Sequence, residues 1–190
     1  MLLSSKEHSK AMWEKYTEAR PNLKNGDIIL YSGNSLMAKS IKYFDHAYYN
    51  HIGVVWNAYE RMLTMDMWSK GLTVTPLSNR INGYRDFCIL RPKNINPFAI
   101  EAALSSGLDL WEGNTKYDYT LLLRIAVIKK TGIDITGLGR KGRFICSEFV
   151  QNYCSNLGIH TFDEIELITP EDFIRYIDTE KFDVLYKTNK

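Results

Sequence analysis

The chain has 190 residues, 45% of them hydrophobic and 24% charged, which suffices for one well-filled core and excludes a disordered or low-complexity protein. A formal net charge of +2 is too small to suggest nucleic acid as a partner, and the basic runs Lys129-Lys130 and Arg140-Lys141-Gly142-Arg143 read as solvated loops. Three cysteines, Cys88, Cys146 and Cys154, without regular spacing argue against a disulfide framework and fit a reducing compartment.

Residues Ser4 to Arg20 read as an amphipathic helix with Met12, Trp13 and Tyr16 on one side, ended by Pro21. Asp27 to Ser32 follows a turn as an apolar strand. Gly33-Asn34-Ser35 turns the chain again, and Ser35 is a candidate cap for a helix running through Phe44. Tyr48 to Trp56 reads as a strong strand in which His51, Gly53 and Val55 share one face, Gly53 leaving room beside the imidazole. After a turn at Glu60-Arg61, Met62 to Trp68 forms another strand. It carries Asp66 among Leu63, Met65 and Met67, and a buried acid there requires a partner. Leu72 to Pro76 and Asp86 to Arg91 complete a run of short strands with tight turns, with Cys88 taken as core. That pattern predicts an antiparallel, meander-like sheet.

From Pro97 the pattern becomes helical, through Phe98, Ile100, Ala103, Leu104, Leu108 and Trp111. A second helix is expected over Leu121 to Lys130. The glycine-rich stretch from Gly132 to Gly142 lacks the strand and glycine spacing of a nucleotide-binding fingerprint. Cys146 to Gly158 then reads as a helix closed by a left-handed glycine. Cys146 lies on its first turn, where the helix dipole and unpaired N–H groups favour a thiolate. Free cysteine is also among the most buried residue types, so a core role for Cys146 stays open. Thr169 to Phe173 opens a further helix, and Phe182 to Tyr186 alternates as a last strand. No cysteine and histidine cluster has metal-ligand spacing, and no cofactor is expected.

A histidine entering one strand, an acid on the next and a cysteine opening a distant helix make a Cys-His-acid set. Four stretches then bear a resemblance to a known family. They are Gly26-Asp27-Ile28-Ile29-Leu30, Asn50-His51-Ile52-Gly53-Val54-Val55, Phe144-Ile145-Cys146-Ser147-Glu148-Phe149-Val150 and Thr169-Pro170-Glu171-Asp172-Phe173. In this order they resemble the circularly permuted branch of the NlpC/P60 papain-like superfamily, the YiiX/YebB-like group. The resemblance implies an α+β, circularly permuted papain-like fold, an antiparallel sheet packed against helices that include the nucleophile helix. It implies a helical extension at residues 1–24 and a catalytic domain at 25–190. It also implies a cysteine-dependent hydrolase or acyltransferase acting on an amide (peptide, including peptidoglycan-type) or a lipid acyl ester. Cys146 would be nucleophile, His51 base and Asp66 the third member, with Tyr117 and Asp118 matching a Tyr-Asp pair near the substrate. Two positions depart from the pattern. Asn50 stands where the group has serine, and Asp66 stands where it has glutamate, so that the bond to His51 would be longer or run through water.

The alternative reading is a non-catalytic binding module that keeps the groove. No stretch approaches the ~20 apolar residues of a membrane span. The N-terminal residues lack a signal peptide's apolar core, so a cytoplasmic location is expected, and a bacterial or phage origin follows from the resemblance. The oligomeric state is not legible.

Overall fold

The computed structural model describes residues 5–34, 36–135, 137, 139 and 141–187. The predicted cap at Ser35 lies outside the described residues. The first helix, α1 (Ser5–Ala19), is followed by a short 3-10 turn and by strand β1 (Ile28–Ser32). Helix α2 (Leu36–Asp45) leads into the hairpin strands β2 (His51–Ala58) and β3 (Arg61–Trp68), then β4 (Gly71–Pro76). A short helix α3 (Leu77–Asn82) precedes β5 (Asp86–Pro92), and α4 (Pro97–Glu112) follows it. Strand β6 (Lys116–Tyr117), helix α5 (Tyr119–Thr131) and strand β7 (Arg143–Phe144) lead to α6 (Cys146–Asn156). Helix α7 (Asp172–Arg175) and strand β8 (Phe182–Lys187) complete the chain.

Six strands form one sheet in the order β4-β3-β2-β1-β5-β8, antiparallel throughout, as the run of alternating strands predicts. The β2–β3 turn uses Tyr59 (φ 51°) and Glu60 (φ 64°), one residue earlier than the sequence pattern suggested, because a two-residue hairpin needs two left-handed positions. Each strand turns alternate residues to two apolar layers. Ile28, Leu30, Ile52, Val54, Met65 and Met67 meet α6 with its Phe149, Val150 and Tyr153. Ile29, Tyr31, Val55 and Phe87 meet Met12 and Tyr16 of α1 and Leu77 and Ile81 of α3. Trp13, expected on the buried side of α1, is 52% exposed. Helix α3 and the small parallel pair β6–β7 were not expected.

Two contacts set the nucleophile helix on the sheet. Gly26 has φ 82°, and the Tyr153 hydroxyl of α6 donates to its carbonyl at 3.2 Å. A Cβ at Gly26 would lie 2.5 Å from that hydroxyl, so glycine serves both the backbone angle and the close approach. Asp27 receives a two-pronged ion pair from Arg91, with Nε–Oδ1 and Nη2–Oδ2 both 2.7 Å, and ties β1 to β5. Gly158, at φ 75°, ends the α6 region in the left-handed conformation predicted for it.

Candidate active site

His51 is the first residue of β2 and is buried. Its Nε2 contacts Asp66 Oδ2 at 2.5 Å. The expectation of a longer or water-mediated contact is not met, and Gly53 is the physical reason. Val54 pairs with Met65, so the next step of the register sets Gly53 opposite Asp66. A Cβ on Gly53 would lie 2.9 Å from Asp66 Cβ, Thr64 Oγ1 and the Met65 carbonyl. The missing side chain lets the shorter acid come in under the imidazole.

Asp66 is fully buried, and its other oxygen is also engaged. Arg80 Nη2 donates to Oδ1 at 2.8 Å and Thr73 Oγ1 donates to it at 2.9 Å. Arg80 lies on α3 and also stacks over Trp68, 4.9 Å from the ring. The sequence reading did not reach Arg80, because its role depends on α3 folding back across β3. A proline followed by Leu77 and Ile81 at helical spacing was the available signal.

Cys146 opens α6 and lies close enough to His51 to act on the imidazole through both its charge and hydrogen bonding. Both residues are buried, Cys146 4% and His51 5% exposed. Burial alone would lower the His51 pKa. Negative charge at Cys146 and the hydrogen bonds to Asp66 and Cys146 overcome it, pushing His51 from its ordinary 6.5 up to about 9. The imidazole rests among aromatic rings, with Trp68 edge-on at 5.0 Å and Tyr84 parallel at 5.9 Å.

The support around the pair comes from several motifs. Glu148 accepts from the Ile145 backbone N–H at 3.0 Å, half of a capping box that the apolar Ile145 side chain cannot complete. Glu171 Oε2 accepts from the backbone N–H groups of Tyr48 and Tyr49 at 2.9 and 2.8 Å, fixing the lead-in to His51. Asn50 pairs its amide with Gly33, accepting from its N–H and donating to its carbonyl, both at 3.2 Å. Glu171 was noted only as an acid at a helix start, and nothing local in sequence ties it to residue 48.

Two pockets flank the pair. One, of about 240 Å³, holds Cys146 and is walled by Ile41, Phe44, Leu122, Ile125, Ile145 and Ile168. The other, of about 270 Å³, holds His51 with Asn50, Met67, Trp68, Ser69 and Tyr84. Ile41 and Tyr117 line both, so the pockets adjoin as one groove, with Cys146 in one half and His51 in the other. Helix α2 roofs it with Ala38, Ile41, Phe44 and Asp45, spaced on one helical face. Burial and then the charge at Cys146 raise the Tyr117 phenol, which therefore stays protonated and able to donate. Asp118 is placed differently: its carboxylate caps α5, accepting from the N–H groups of Thr120 and Leu121 at 2.9 Å, and it lines neither pocket.

Among the described residues no group of three or more His, Cys, Asp or Glu side chains converges to hold a metal ion, and no helix is long and apolar enough to cross a membrane.

No family model and no curated protein matches the sequence. Among solved structures the chain is similar to the crystal structure of YiiX from Escherichia coli O157:H7, described as a metalloprotein of DUF1105. The TM-score is 0.59 and the identity 16%, over 86% of this chain and 97% of that one. The likeness, taken with the antiparallel sheet and the helix that presents Cys146, makes this an α+β protein with a YiiX-like fold, consistent with a permuted papain-like arrangement.

Proposed function

We propose that the protein is a cysteine-dependent hydrolase or acyltransferase of the YiiX/YebB-like, permuted NlpC/P60 type, acting on an amide or ester. The observation that carries this reading is His51, its Nε2 2.5 Å from the buried Asp66 carboxylate and its imidazole close enough to Cys146 for the charge there to raise its pKa. In the proposed reaction the Cys146 sulfur attacks the substrate carbonyl carbon. A C–S bond forms as the carbonyl electron pair moves to oxygen, and the tetrahedral intermediate collapses by breaking the C–O or C–N bond. His51 gives its proton to the departing oxygen or nitrogen. Water, or an acceptor alcohol or amine, then gives its proton to His51 and attacks the thioester carbon. The C–S bond breaks with its electron pair returning to Cys146, the acyl product leaves, and the Cys146–His51 pair is restored. Asp66 holds the imidazole in orientation and stabilises its charge, and Arg80 and Thr73 hold Asp66. The oxyanion is met by the backbone N–H of Cys146 on the first turn of α6, with the Tyr117 hydroxyl as side-chain donor.

YiiX is described as a metalloprotein, but the donor set here does not suit a metal. His51 Nε2 is committed to Asp66, and Arg80 already brings a cation to Asp66. No step is routed through a metal.

The test is turnover of an activated ester such as p-nitrophenyl acetate. Cys146→Ala should abolish it while the protein still unfolds cooperatively, its stability lowered by no more than the Cys146 share of the His51 contribution, about 1–2 kcal/mol. Activity retained in that variant contradicts the mechanism. With an amide substrate such as a p-nitroanilide, whose leaving nitrogen must be protonated, the wild-type rate should fall as pH rises through about 9, because deprotonated His51 cannot supply that proton. The second reading, a binding module with the same groove, rests on the departures at Asn50 and Asp66. It would be indicated by ligand binding that Cys146→Ala leaves unchanged together with no turnover in the wild type.

A further inference from the structure

The two halves of the groove differ in chemistry, and the reaction proposed above gives them different occupants. We infer that the substrate is an aliphatic acyl ester or amide whose chain lies in the Cys146 pocket and whose polar leaving group lies in the His51 pocket. This rests on the reading of Cys146 and His51 as nucleophile and acid. The carbon bonded to sulfur stays with Cys146, so the acyl part belongs on that side. The atom that receives the proton must face His51, so the leaving group belongs on the other.

The walls agree with that direction. On the Cys146 side the lining is mostly aliphatic and aromatic, and the buried polar side chains in the wall, Asp45, Ser147 and Thr169, are each engaged by the protein, Ser147 Oγ donating to the Ile168 carbonyl at 2.7 Å. Asp45 is paired with Lys129 at 2.8 Å, and Thr169 Oγ1 donates to Asp45 Oδ2 at 2.5 Å. Apart from the Tyr117 hydroxyl, which both pockets share, a polar or charged chain would find little there to replace its water. The mouth is rimmed by Leu123 and Tyr119, 56% and 46% exposed, an apolar path from solvent. The volume of about 240 Å³ exceeds the ~150 Å³ apolar cavity that accepts benzene, which scales to roughly eight to ten carbons. The His51 side is different. Asn50, Ser69 and Trp68 line it, and the buried Tyr84 hydroxyl has no protein partner among the described residues, which suits a leaving group carrying hydroxyl or amide functions.

The test is a series of p-nitrophenyl esters from acetate to dodecanoate with the wild type and Ala126→Phe, which narrows the chain pocket. In parallel, calorimetry compares octanamide with acetamide on Cys146→Ala. The expected result is kcat/KM rising about three- to fourfold per added methylene up to eight to ten carbons, then levelling. Ala126→Phe should move the optimum to shorter chains, and octanamide should bind at least tenfold tighter than acetamide. Cys146-dependent turnover that is flat with chain length, or unmoved by Ala126→Phe, overturns the inference and leaves the enzyme reading standing. Tight octanamide binding with no turnover of any ester upholds the chain pocket and sinks the enzyme reading. Neither binding preference nor turnover overturns both.

Discussion

Replacing Asp66 with asparagine separates the two things this carboxylate does. The side chain keeps its shape, so packing is little changed, but Arg80 loses a buried counter-charge at 2.8 Å and His51 loses one at 2.5 Å. Removing one partner of a buried pair typically costs about 3–5 kcal/mol, and the Arg80 part of that loss is the same at every pH between 6 and 10. The His51 part depends on pH. Its pKa is raised when folded, so the stability it contributes is fully present below 6.5 and disappears as pH rises through about 9. At roughly 1.4 kcal/mol per pKa unit the whole contribution is about 3 kcal/mol, shared between Cys146 and Asp66. Urea unfolding of wild type and Asp66→Asn at pH 6, 8 and 10 therefore has two expected features. The variant is less stable throughout, and its stability falls by about 1 kcal/mol less than wild type across that range. Other titrating groups cancel in the comparison. Equal pH dependence in the two proteins would refute the claim that Asp66 holds charge on His51.

Gly53→Ala should destabilise the fold by about 1–3 kcal/mol, since its Cβ would meet Asp66, Thr64 and the Met65 carbonyl at 2.9 Å, and the same variant should slow Cys146 alkylation. A urea midpoint and labelling rate both equal to wild type would show that Gly53 does not make the space for Asp66. Glu171→Gln weakens two charge-assisted bonds to the Tyr48 and Tyr49 N–H groups and should cost about 1–2 kcal/mol with reduced turnover. A neutral outcome in both assays removes Glu171 from the support of His51. Cys88 and Cys154 are fully buried and burial raises both thiols, Cys88 to about 11, so peptide mapping after native labelling at pH 7.5 should find alkylation at Cys146 alone. Native modification of Cys154 would contradict the packing of α6.

The sheet was legible because it is built from local signals. Alternating strands and tight turns predict antiparallel neighbours, and the six-stranded order contains a continuous β1–β2–β3–β4 run. Cys146 and His51 were legible for a related reason: one stands at a helix start and the other at a strand start, places that a single chain marks. Asp66 was visible as an acid in an apolar strand, and Gly53 as bulk removed on the His51 face. What joins them was less visible. Arg80 and Glu171 act across 14 and 123 residues of separation, so their roles appear only after the chain has folded. The roof residues Ala38, Ile41 and Phe44 lie in a stretch that reads in sequence only as a helix through Phe44, and nothing local says that one of its faces covers a groove. Tyr117 and Asp118 read as a pair in sequence, and the fold parts them, Tyr117 into the groove and Asp118 onto the start of α5.

The central claim is that Cys146 and His51 act as a thiol–imidazole pair, and the rate of iodoacetamide alkylation at Cys146 against pH, in wild type and His51→Ala, tests it most directly. The account predicts alkylation already rapid at pH 7 in the wild type, and in His51→Ala a slow reaction that becomes fast only as pH approaches 9. Identical profiles, or labelling of Cys146 only on unfolding, would contradict it.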